Sequence, residues 1–99
     1  MSYATISNWS SSVKRGSDAA NNNEKTINEK YIPALKAMGA NHVYFIYTSD
    51  TTVSIIVIYP DAVTATAAIT KQNALRSQGS SELATTFIGE SRGVVFASL

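Results

Sequence analysis

The sequence predicts a small α+β domain with its elements in the order β-α-β-β-α-β. Three observations predict it. The stretch His42–Pro60, HVYFIYTSDTTVSIIVIYP, sets two apolar runs on either side of a polar TSDTT, which reads as a β-hairpin. Upstream, Ile27, Tyr31, Leu35 and Met38 recur at spacings of four, four and three, one face of a helix that Gly39 ends. Downstream, Pro60 and Asp61 precede an alanine-rich run with the start signals of a second helix.

The elements follow in order. SYATISNW (2–9) alternates as a strand, placing Tyr3, Thr5, Ser7 and Trp9 on one face and Ala4, Ile6 and Asn8 on the other. SSSVKRGS (10–17) is a polar loop. Ser17 or Asp18 caps a helix running to about Met38. Pro33 lies inside it and removes a backbone hydrogen bond, at about 3 kcal/mol or more. A kink near Tyr31 is therefore expected, or a break at which Pro33 opens a second short helix. The hairpin strands span about 42–48 and 53–60 around SDTT. Asp61 then caps a helix to about Ser77, closed by Gly79, with Ala65, Ala68 or Ile69, Gln72 and Leu75 facing inward. Such small side chains let the helix sit close to whatever it covers. SSELATTF can add one helical turn. TTFIGESRGVVFASL is a final strand, interrupted near Gly89–Gly93, or a short hairpin.

Composition bounds the function. Ninety-nine residues argue for one domain, 1–99, and 44% hydrophobic with 15% charged residues makes it globular. A net charge of +1 gives no electrostatic reason to expect nucleic acid or an anionic membrane as partner. There is no cysteine, which excludes disulfides, thiolate catalysis and thiolate metal sites and suits a reducing compartment. MSYATISNW lacks a signal-peptide layout, and no apolar run approaches the ~20 residues of a membrane helix. A soluble, cytoplasmic protein is expected. The sequon at Asn8–Ser10 is incidental without a secretory signal, and Asn21–Asn23 reads as a solvated helix face.

The hairpin poses the main question, because both of its faces are apolar. The element order is the split βαβ, or ferredoxin-like, arrangement, with a right-handed helical crossover and both helices on one face of the sheet. The other face is left open. Each large aliphatic side chain held in water forfeits ~1.5–3 kcal/mol, so four or five amount to about 10 kcal/mol of unused burial. A monomer rarely exposes an apolar patch above ~600 Å². The expected cover is a second copy related by a two-fold axis, a homodimer through the open sheet face; the alternative is partial cover by the C-terminal segment. If Thr48 faces Val53, then Val43, Phe45, Tyr47, Ser54, Ile56 and Ile58 share one side of the hairpin. Tyr44, Ile46, Thr48, Val53, Ile55, Val57 and Tyr59 then share the other.

The run EKYIPALKAMGA, a strand, then VSIIVIYPDAVTATAA resembles the dimeric α+β barrel superfamily, which includes antibiotic-biosynthesis-monooxygenase-like and stress-responsive barrel domains. The resemblance covers nearly the whole chain. It implies a homodimer whose sheets pack face to face, often with an apolar pocket between sheet and helices.

Few residues can carry chemistry. His42 is the only histidine, with no acidic cluster beside it, so neither a metal site nor a serine triad can be assembled from sequence. There is no glycine-rich phosphate loop, and Lys14–Arg15 reads as a solvated pair. No cofactor is expected. The remaining candidates are Asn8, Trp9, Tyr3, Tyr44, Tyr47 and Arg92. Asn8 and Trp9 are adjacent on a strand and point to opposite faces. The resemblance implies an Asn on the first strand for cofactor-independent oxygenases, and Asn8 fits loosely. The tryptophan and axial histidine of the haem-degrading branch are missing, since Ala62–Ala68 holds only small residues. The leading expectation is a dimeric domain binding a small apolar or aromatic ligand near the His42 end of the sheet, through Asn8, His42, Tyr44 and Tyr47. A monooxygenase using Asn8 and Arg92 or a Tyr hydroxyl is the alternative, and a stress-associated interaction module without a pocket is the second.

Overall fold

A computed structural model describes residues 1–99 throughout. The elements are β1 (Tyr3–Ser11), α1 (Asp18–Thr26), a π-helical turn (Ile27–Tyr31), α2 (Ile32–Ala37), β2 (His42–Tyr47), β3 (Thr52–Tyr59), α3 (Ala62–Glu82) and β4 (Thr85–Val94). The four strands form one sheet in the order β2-β3-β1-β4, and every neighbouring pair is antiparallel. β3 therefore lies between β1 and β2, the split arrangement of a ferredoxin-like α+β fold.

Local chemistry sets the helix boundaries. Ser17 Oγ accepts the Ala20 N–H at 3.1 Å and caps α1. Pro33 does not break the chain of helices. The ladder widens into a π turn in which the Ile32 N–H reaches the Ile27 carbonyl, and α2 continues with Pro33 near its start. Gly39 ends α2 at φ +101°, and a Cβ there would lie 2.8 Å from Thr64 Cγ2, so both conformation and space require glycine. Asp61 Oδ1 accepts the Thr64 N–H at 2.7 Å and caps α3. α3 runs past Gly79 to Glu82, beyond the expected end. Gly79 is instead the point of closest approach between helices, where a Cβ would lie 3.1 Å from Tyr31 Cε2.

The hairpin register corrects one expectation. Tyr47, not Thr48, faces Val53. That shift of one residue moves the whole of β3 to the other face. Val43, Phe45, Tyr47, Val53, Ile55, Val57 and Tyr59 lie under the helices, and His42, Tyr44, Ile46, Ser54, Ile56 and Ile58 lie on the open side. β4 is a single strand and not a hairpin; it bulges at Ile88, so that Asn8 faces Gly89 and Trp9 faces Phe87.

The core lies between helices and sheet, around Leu35, Ala40, Val57, Tyr59, Ala65 and Ala68. The C-terminal tail does not close the other side. Val95 N–H donates to the Ser2 carbonyl at 2.9 Å, Phe96 stays 90% exposed, and Ile6, Tyr44, Ile46 and Ile88 remain exposed. No helix is long and apolar enough to cross a membrane.

Candidate functional site: a cavity under the helices

β1 is built against its own hydropathy. Its buried positions are Thr5, Ser7 and Trp9, whereas Ile6 points to the open side. Buried hydroxyls need partners, and Trp9 of the same strand and Gln72 of α3 supply them. Trp9 Nε1–H donates to Ser7 Oγ at 2.8 Å. Tyr59 O–H donates to Gln72 Oε1 at 3.0 Å, and Gln72 Nε2–H donates to Thr5 Oγ1 at 3.1 Å. Trp9 also meets the Phe87 ring edge-on, with centroids 5.1 Å apart.

Beside this network lies a cavity of about 90 Å³. The sheet contributes Trp9, Phe45 and Ile55 to its wall, and the helices contribute Ile27, Tyr31 and Leu75. Ile27 and Tyr31 are the two ends of the π turn, a distortion often found at functional sites. The wall is mainly apolar, with Ser7, Gln72 and Arg76 as its inner polar members.

Two tyrosines at the wall are anchored to acidic side chains of the helices. Tyr31 O–H donates to Glu82 Oε1 at 2.9 Å, and Lys30 Nζ–H donates to Glu82 Oε2 at 2.8 Å. Burial, then the hydrogen bond and charge of Glu82, push the Tyr31 phenol up to about 12. Tyr47 O–H donates to Glu24 Oε2 at 2.9 Å; burial and then that contact raise its pKa, while Arg15, stacked 5.3 Å from the ring centroid, opposes the shift.

Arg76 is the cavity's charged group. Its guanidinium pairs with Glu90 and lies 5.7 Å from the Phe87 ring centroid. Arg92 Nε–H donates to Glu90 Oε1 at 2.8 Å, so two guanidinium groups share one carboxylate. Burial alone would raise the Glu90 pKa, but Arg92 and Arg76 together hold it below the usual range. Arg76 Nη2 is buried without a hydrogen-bond partner.

The four residues expected to form a ligand site are divided between two faces. Tyr47 lines the cavity. Asn8, His42 and Tyr44 lie on the open face, where Asn8 Oδ1 accepts the Ser54 hydroxyl at 2.7 Å and the His42 and Tyr44 rings stack 6.4 Å apart. The cavity also sits toward the Tyr47 end of β2 and not the His42 end. Asn8 and Arg92 fall on opposite faces, so they share no pocket within one chain. Trp9 is both core and wall. Gln72 was legible as an inward helix position, whereas Arg76, one turn further along, was missed; its spacing of four from Gln72 was the available signal. No three His, Asp or Glu side chains converge where a metal could be held.

Solved structures share this architecture. One, a dimeric ferredoxin-like protein from an uncultured marine organism, is 14% identical with a TM-score of 0.67, over 99% of this chain and 98% of that one. A second, also a dimeric ferredoxin-like protein from an uncultured marine organism, is 12% identical with a TM-score of 0.59, over 100% and 98% of the two chains. No family model and no curated protein matches the sequence. At such identities the likeness is one of fold, and the fold of this chain is the ferredoxin-like α+β fold of those dimeric proteins.

Proposed function

We propose that this chain is a homodimeric binding domain for a small, largely apolar ligand held between the sheet and the helices. The observation that carries the reading is the cavity itself, apolar in most of its wall yet bordered by buried, oriented polar groups. Its volume of about 90 Å³ is modest. An apolar cavity of ~150 Å³ holds benzene, so this one suits a ligand, or an inserted part of one, of about four non-hydrogen atoms.

The dimer rests on the other face. Ile6, Ile46, Ile56 and Ile58 lie there together, and the neighbours of the same fold are dimeric. A second copy of the same surface would bury these side chains by two-fold symmetry. A chain without cysteine suits a reducing compartment such as the cytoplasm. A monooxygenase role for Asn8 has no support in the cavity, since Asn8 does not reach it.

The test is a crystal of natively purified protein exposed to xenon, an apolar probe that enters dry cavities. Xenon density among Trp9, Phe45 and Leu75 is the expected result, with dissolved xenon shifting the Trp9 indole resonance in solution. A cavity that excludes xenon in both experiments would overturn the ligand-binding reading.

A further inference from the structure

The reading of the cavity as a ligand site leaves one feature unexplained, the charge placed at its wall. A partly buried guanidinium needs acceptors for those of its five N–H donors that water does not reach. Arg76 finds one carboxylate, Glu90, and must share it with Arg92. The cluster of two guanidinium groups and one carboxylate therefore carries an excess positive charge. Arg76 Nη2 has no acceptor at all, although it is buried. An unmade hydrogen bond on a buried charged group is costly, more so than on a neutral one. Gln72, on the same side of α3, is by contrast satisfied at both ends.

We infer that the ligand is a small aliphatic carboxylate, its chain among the apolar side chains and its carboxylate on the guanidinium of Arg76. This deepens the proposed function and rests on it. A carboxylate supplies what the cluster lacks, a negative charge and an acceptor for Nη2. Arg76 itself forms part of the cavity wall. The chain of such an acid fits the wall made by Ile55, Leu75 and Trp9. The volume sets the size of the part that enters, about four non-hydrogen atoms.

The test compares butyrate with butyramide, its neutral near-isostere, on the full native chain at constant ionic strength. The indole of Trp9, the sole tryptophan, reports binding by fluorescence and by its Nε1–H resonance. Butyrate is expected to bind about tenfold more tightly than butyramide, as charge-assisted hydrogen bonds exceed neutral ones. In Arg76→Gln that preference is expected to vanish. Should Arg76→Gln fail to fold, the comparison on the native chain decides alone. Equal affinities for the two probes would overturn the carboxylate inference and leave the ligand-binding reading intact. Binding of neither probe would likewise overturn the carboxylate inference, and a cavity that also excludes xenon would remove the ligand-binding reading with it.

Discussion

The two faces of this sheet contradict the simple rule that the apolar side is the covered one. Under the helices, β1 places Thr5 and Ser7, which are 0% and 1% exposed; on the open side it places Ile6, which is 39% exposed. β3 and β2 are apolar on both sides, with Val53, Ile55 and Val57 covered and Ile56, Ile58 and Ile46 uncovered. A covered face gains from polar residues only when each is paired and a space must be shaped. The hydroxyls of β1, Gln72 and the tryptophan do that beside the cavity. An uncovered face gains from isoleucine only when something else will cover it. On the proposed reading, the covered face serves as a site and the open face as an interface.

Breaking the open face should have the largest effect. Ile56→Glu places a carboxylate in the centre of the proposed interface, at about 3 kcal/mol or more, which is over a hundredfold in the dimer constant. Sedimentation should show monomer, or circular dichroism should show unfolding if no stable monomer exists. On the covered face, Tyr59→Phe leaves Gln72 Oε1 without its donor. Urea denaturation should report a loss of about 1–3 kcal/mol, with the dimer otherwise unchanged.

Alkali should act on the covered face too. The Tyr31 phenol titrates at about 12 in the fold, above the usual value of 10.0. A raised folded pKa means that the neutral phenol's contribution is complete below about pH 10 and is lost as pH rises toward 12. Tyr47 and Tyr59 are shifted in the same direction, first of all by burial. The urea midpoint should therefore hold steady to about pH 9.5 and then fall. The smallest effect is expected from Asn8→Ala, which removes only the bond from Ser54. Stability should change by about 0.5–1.5 kcal/mol at most, and ligand affinity not at all. A loss of ligand binding in that variant would show that the two faces are not separate.

The element order, the alternation of β1, a cap at Ser17 or Asp18 and the inward stripe of α3 were all legible in the sequence, because each rests on local periodicity or capping chemistry. The hairpin register was not. Either register buries an apolar set, so hydropathy could not choose, and the loop was fixed instead by contacts such as Thr48 Oγ1 to Thr52 Oγ1 at 2.7 Å. The division of the four expected ligand residues between two faces has another cause. Asn8, His42 and Tyr44 were grouped with Tyr47 by proximity along the sheet, and the strand alternation separates them. The π turn was hidden for a different reason, since Pro33 signals that a ladder must change without saying how. Gly79 read as a helix stop, whereas it marks the contact with the Tyr31 ring, a tertiary cause with no local signature.

The central claim is that the open, isoleucine-rich face is closed by a second copy of the chain. Sedimentation equilibrium at micromolar concentration tests it most directly. The expected result is a single species of twice the chain mass that Ile56→Glu abolishes. A folded monomer at that concentration, with Ile6, Ile46 and Ile56 still open to water, would contradict it.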